Sequence, residues 1–239
     1  MGFDLPIPAA QITPQQVRLG LVFDLDDTLY LERDFAFSGF SAVEAHLRTM
    51  HGEIVVPGTC RTLFEQGVRG EVFNQALEQF GLAADPAAIA ALVEVYRGHA
   101  PQIAPCADTM RFLAADTRRR AIITDGPASM QRAKIAALGI AHQFGLIIPT
   151  GELPQGMGKP HPRAFEQVMA WSGEAGAAHV YIADNPAKDF IAPRELGWRT
   201  VQIDRVGRVH SPEPKSPGHA AEIRIGSLDE LTSALDAPG

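Results

Sequence analysis

A chain of 239 residues that is 46% hydrophobic and 21% charged, with 22 glycines and 18 prolines scattered along it, is not a coiled coil, a collagen-like repeat or a disordered chain. Its length suits one large domain or a domain with a substantial insertion, and either can bury a core. The 21 basic and 28 acidic residues leave a formal charge of −7 with no basic stripe, so nucleic acid is not expected as a partner.

The segment Met1 to Pro6 lacks the cationic and apolar parts of a signal peptide, and Pro6 stands where a myristoylation pattern has Ser or Thr. No apolar run reaches the roughly 18 residues of a membrane span. Cys60 and Cys106 match no metal spacing and read as free thiols. The expectation is a soluble cytoplasmic protein with no membrane partner and an oligomeric state the chain does not reveal.

In chain order, an apolar run at 19–23 predicts a first strand. Residues 35–50, 59–80 and 86–98 then read as helices, with Gly81 and Gly98 as stops and Asp85-Pro86 as a start. Residues 101–105, Pro-Gln-Ile-Ala-Pro, look like a stiff return linker. Further strands are predicted at 121–124, 146–148, 180–183, 200–203 and 223–225, with helices at 128–138 and 163–171 between them and an exposed loop at 205–218. Continuous apolar strands suit a sheet buried on both faces. The alternation of strand and helix predicts a doubly wound α/β core. The strandless interval after the first strand far exceeds the dozen or so residues a crossover needs, which predicts a helical insertion at 33–103.

The first strand runs into Asp24-Leu25-Asp26-Asp27-Thr28. Residues i and i+2 of an extended chain share a side, so Asp24 and Asp26 project together, at the strand end where open α/β sheets bind ligands. Their repulsion calls for a cation or a proton, and all-oxygen ligation suits Mg²⁺. A solvated turn is the bland alternative. The strand at 121–124 ends in Thr124-Asp125-Gly126, a hydroxyl and amides ahead of a helix, which can cradle phosphate or simply turn the chain. Lys159, held between Gly158 and Pro160, can offer a localised charge to an anion or be an ordinary surface lysine. The strand at 180–183 delivers Asp184, Asn185 and Asp189 to the same edge, where capping is the ordinary role. Together, three strands bring acids, a hydroxyl and a lysine to one edge, an assortment that independent turns rarely give.

This ordered set resembles the four motifs of the haloacid dehalogenase (HAD) superfamily, and within it the phosphatase-like members with a C1-type helical cap. The resemblance spans about residues 19–203. Two departures are Ala183, where a glycine is usual, and Asp125, where many relatives carry Asn. The resemblance implies a Rossmann-like core from residues 1–32 and 104–239 and a cap at 33–103. It also implies a Mg²⁺-dependent phosphatase acting on a small-molecule phosphate ester. Asp24 would be the nucleophile that forms an aspartyl-phosphate, and Asp26 the general acid and base. Thr124, Asp125 and Lys159 would hold the phosphoryl group. Asp24, Asp184 and the backbone carbonyl of Asp26 would ligate the metal, supported from behind by Asn185 or Asp189. Arg33, Phe35, Phe37 and Arg48 are candidate cap contacts, with core packing and solvated charge as the simpler reading. The Asp26 carboxylate argues against a dehalogenase. A phosphomutase and a phospho-acceptor signalling module stay open as alternatives.

Overall fold

The computed structural model describes residues 20–237. The six strands are β1 (Gly20–Phe23), β2 (Arg120–Thr124), β3 (Leu146–Pro149), β4 (His179–Ala183), β5 (Arg199–Ile203) and β6 (Ile223–Ile225). They form one parallel sheet in the order β3-β2-β1-β4-β5-β6. Leu19, expected to open the first strand, and the readings made on residues 1–6 lie outside the described residues. The helices are α1 (Glu32–His51), α2 (Thr59–Glu65), α3 (Val72–Gln79), α4 (Pro86–Gly98), α5 (Ala107–Ala115), α6 (Ala128–Leu138), α7 (Arg163–Ser172), α8 (Ile191–Glu195) and α9 (Leu231–Asp236). No helix among the described residues is long and apolar enough to cross a membrane.

Strand alternation divides the core in two. Leu21, Phe23, Ile122, Val180, Ile182 and Val201 pack with Phe112 of α5, Ile135 and Leu138 of α6 and Leu231 of α9. Their neighbours Val22, Ala121, Ile123, Tyr181 and Ala183 pack on the opposite face with Phe165 and Val168 of α7 and Ala192 of α8. Burial on both faces explains why these strands are unbroken apolar runs. The fold is therefore the Rossmann-like, doubly wound α/β sheet expected. Its winding reverses between β1 and β4, and a ligand crevice belongs at the carboxyl ends of strands that flank such a reversal.

Helices α1 to α4 lie between β1 and α5 and pack around a separate apolar cluster that includes Phe40, Val43, Leu63, Leu77 and Leu92. Helix α4 begins as expected, with the Asp85 carboxylate accepting from the N–H groups of Ala87 and Ala88 at 2.9 Å. The single helix expected over 59–80 is two. Gly67 and Gly70 take positive φ, 93° and 77°, and the Val68 N–H turns back to the Leu63 carbonyl, a helix stop that the apolar periodicity on either side conceals. The connections into and out of this insert are tied together, since the Cys106 N–H donates to the Leu29 carbonyl at 3.0 Å.

The loop at 205–218 also departs from expectation, for its first residue is not exposed. The buried Arg205 donates through Nε to the Thr28 carbonyl at 2.7 Å and through Nη1 to both oxygens of Asp108 at 3.0 Å. Asp108 in turn accepts from the Leu228 N–H at 2.8 Å. Three segments meet there because a buried guanidinium needs acceptors on every side.

Candidate active site

Asp24 extends the sheet by one residue past β1, since its N–H donates to the Ile182 carbonyl at 2.9 Å. That places it at the reversal between β1 and β4, beside Asp184, which follows β4. Carboxylate oxygens of Asp24, Asp184 and Asp189 lie within 4.8 Å of one another, all three buried. Lys159 arrives from the loop between β3 and α7, across 135 residues of sequence. Its Nζ stands 2.7 Å from Asp24 Oδ1, 2.7 Å from Asp189 Oδ1 and 2.9 Å from the Tyr181 hydroxyl. Asn185 shapes the loop that carries Asp189: its N–H donates to Asp189 Oδ2 at 3.0 Å, and its side chain accepts from the Ala187 N–H.

Burial pushes the Asp24 and Asp184 carboxyls well above the ordinary range, reinforced by Asp189 and opposed by Lys159. Burial alone would favour neutral Lys159, but Asp189 and Asp24 hold its ammonium well above the usual lysine value. One buried ammonium thus faces three acids, of which it contacts Asp24 and Asp189. Asp184 Oδ2 and the hydroxyl of Thr124, at the end of β2, are buried without a hydrogen-bond partner. Unsatisfied buried oxygens cost about 1–3 kcal/mol each, which a ligand would recover. An all-oxygen donor set with excess negative charge fits a hard divalent cation, and the free Thr124 hydroxyl fits an oxyanion beside it.

Three residues stand differently from expectation. Asp26 turns away from the three carboxylates: Oδ1 accepts from the Tyr30 hydroxyl and from Lys134 Nζ at 2.6 Å, and Oδ2 from Gln131 Nε2 at 3.3 Å. The Asp125 carboxylate, expected at the substrate, is already occupied. It accepts from Thr150 Oγ1 at 2.6 Å, the Lys159 N–H at 3.1 Å and Lys188 Nζ at 3.1 Å. Burial would raise its pKa, but Lys159 and Lys188 hold it below the usual carboxylate value. A charged group so engaged fixes the loop of Lys159. Asp189, expected behind the metal ligands, sits within the carboxylate cluster itself.

The candidate contacts in the insert do not converge. Phe35 is in the sheet core, Phe37 lies under the Arg61 guanidinium at 4.4 Å, and Arg48 pairs with Glu53 at 2.9 Å. Sequence reasoning missed the roles of Tyr30, Gln131 and Lys134. A signal was present: Gln131, Lys134, Ile135 and Leu138 recur at the three- and four-residue spacing of one helix face, so two polar groups share the buried stripe of α6.

A sequence profile of the haloacid dehalogenase-like hydrolases matches residues 20–197, most of the chain and every residue of the cluster. The chain belongs to this family. Among HAD-like proteins it is similar to phosphoserine phosphatase of Thermus thermophilus, 34% identical over 166 residues that make up 68% of this chain and 63% of that protein. The chain thus spans less than two thirds of the length of that relative. Glyceraldehyde 3-phosphate phosphatase of Methanocaldococcus jannaschii is 29% identical over 228 residues, 90% of this chain and 96% of the relative. Among solved structures, the fold is shared with the HAD-hydrolase YfnB of Bacillus subtilis, described as bound to magnesium, at a TM-score of 0.63 and 18% identity over 92% of this chain and 99% of the other. It is shared too with 2-haloacid dehalogenase of Pseudomonas syringae, at 0.61 and 23% over 91% and 98%.

Proposed function

We propose that this HAD-like protein is a Mg²⁺-dependent phosphatase that hydrolyses a small-molecule phosphomonoester through an aspartyl-phosphate on Asp24. The observation that carries this reading is the buried contact of Lys159 with Asp24 inside the cluster formed with Asp184 and Asp189. Membership of the family and two relatives named as phosphatases support it. A structural neighbour described with magnesium supports the choice of ion.

In this mechanism Lys159 and Thr124 hold the phosphoryl oxygens, and an Asp24 oxygen attacks phosphorus. As that P–O bond forms, the bond to the leaving alcohol breaks, and Asp26 donates a proton to the departing oxygen. The same carboxylate then takes a proton from water, whose oxygen attacks phosphorus and frees Asp24. Asp24, Asp184 and the Asp26 carbonyl would hold magnesium, with Asp189 beside it, and the ion would offset the charge that gathers on the phosphoryl group. The helical insert at 33–103 serves as the cap that excludes bulk water.

The test is release of inorganic phosphate from p-nitrophenyl phosphate and from a panel of metabolite phosphates, with Mg²⁺ and with a chelator. Turnover that needs the metal and disappears in Asp24→Asn is expected. Equal turnover with chelator present, or full activity in Asp24→Asn, would refute the proposal.

A further inference from the structure

The side chains around Asp26 form a second buried polar arrangement, distinct from the carboxylates around Asp24. Lys134 is only 2% exposed, and a lysine is rarely so deep unless it is paired. Its Nζ lies 2.6 Å from Asp26 Oδ1, and 4.4 Å from the ring centre of Phe35, which shields the ammonium from the side of α1. Such a pair is a poor device for stability, because packed apolar residues of the same volume commonly do as well. Its chemical effect is on Asp26. With Tyr30 on the same oxygen and Gln131 reaching the other, the carboxylate has three donors and little rotamer freedom.

Two of those donors sit on α6, the helix that follows the Thr124-Asp125-Gly126 turn. Gln131 Nε2 also donates to the Asp125 carbonyl at 2.7 Å. A Cβ on Gly126, whose φ is 126°, would stand 2.8 Å from that same nitrogen, so only glycine leaves the amide its place. One rigid helix therefore fixes both the turn beside Thr124 and the carboxylate of Asp26. Locating a group that transfers protons relative to the phosphoryl site calls for such a link, since small misplacements of reacting groups are costly.

We propose that Lys134, with Tyr30 and Gln131, is a positioning residue that holds the Asp26 carboxylate in the orientation from which it exchanges protons with the leaving group and with water. This rests on the reading of Asp26 as general acid and base. Lys134 itself touches neither phosphorus nor the attacking oxygen.

The experiment is a double-mutant cycle on the full chain, with single-turnover release of the leaving group measured for an alkyl phosphate and for an aryl phosphate whose phenolate needs no proton, so that the later hydrolysis of the aspartyl-phosphate does not enter. In the wild-type background Lys134→Met should lower the single-turnover rate of leaving-group release from the alkyl ester about ten- to hundredfold, and from the aryl ester far less. The substrate concentration that half-saturates this release should stay within about twofold, and in the Asp26→Asn background the same change should cost no more than about twofold on either ester. Tyr30→Phe, run through the same cycle, answers the question if Lys134→Met does not fold. Equal losses on both esters, or the same loss with and without the Asp26 carboxylate, would overturn the inference. The Asp26→Asn arm separates the two failures. If it is itself indifferent to the leaving group, the general-acid reading fails and takes the inference with it. If it discriminates and Lys134→Met does not, only the positioning role falls.

Discussion

Asp24 and Lys159 are separated by 135 residues, yet they make a 2.7 Å contact with no exposure at the lysine side chain. Removing either tests a different property. Asp24→Asn keeps the shape and removes the proposed nucleophile, so kcat should fall by at least about 10⁴-fold with little change in thermal midpoint. Lys159→Met takes the ammonium away from buried Asp189 and Asp24 and should destabilise the metal-free protein by about 3–5 kcal/mol, read by urea denaturation at about pH 8. An unchanged midpoint would mean that the fold does not depend on this ammonium. At this scale the sequence displayed Asp24, Thr124, Lys159 and Asp184 because each follows an apolar strand or sits in a proline-fixed loop. It showed Gln131 and Lys134, partners of Asp26, only as polar residues at the spacing of the apolar stripe of α6, which read as solvated until the helix is docked. The partners of the Asp125 carboxylate were hidden for a related reason: Thr150 and Lys188 are 25 and 63 residues away.

Among the elements, all six strands were legible, for a strand buried on both faces must be apolar throughout. The insert's helices were legible except where Gly67 and Gly70 break α2 from α3, a stop made by backbone conformation. The short helices α5, α8 and α9 were not foreseen, and neither was the anchoring of the chain after β5. Arg205 joins that chain to the loop after β1 and to α5, and it leaves Asp108 well supplied with donors. Burial alone would raise the Asp108 carboxyl, but the Leu228 N–H and Arg205 bring it below its ordinary value. Arg205→Met should therefore destabilise the fold by about 3 kcal/mol, because it strands a buried carboxylate. Chemical denaturation measures this, and a loss under about 1 kcal/mol would show that Asp108 is satisfied without the arginine.

The molecule as a whole stores uncompensated acid at the carboxyl edge of its sheet. Burial holds Asp24 and Asp184 protonated to unusually high pH, and it pushes Asp27 up to about 6 although the N–H groups of Val209 and Glu32 oppose it. An acid whose folded pKa is raised above its unfolded value, about 3.9, stabilises the fold at low pH and loses that contribution as pH rises through the folded value. The metal-free protein should accordingly melt at a lower temperature at about pH 8 than at about pH 6, each unit of pKa displacement being worth about 1.4 kcal/mol. Mg²⁺ should restore more stability at the higher pH, where Asp24 and Asp184, the ligands proposed for it, are more ionised. Thermal scans in chelator and in MgCl₂ at the two pH values check both statements, and a chelated midpoint that rises with pH would contradict them. The strand order that gathers these acids was not readable from local pattern, since it depends on β4 returning to pair with β1.

The central claim is that the Asp24 side chain carries the phosphoryl group between its two transfers, and trapping it is the most direct test. Asp26→Asn, which can still be phosphorylated by an ester with a good leaving group but lacks the base for hydrolysis, is mixed with p-nitrophenyl phosphate and Mg²⁺, quenched in acid and mapped by peptide mass spectrometry. The account predicts a single added phosphoryl group on the peptide containing residue 24, at close to one per chain. Phosphate release with no labelled peptide, or a label on any other residue, would contradict it.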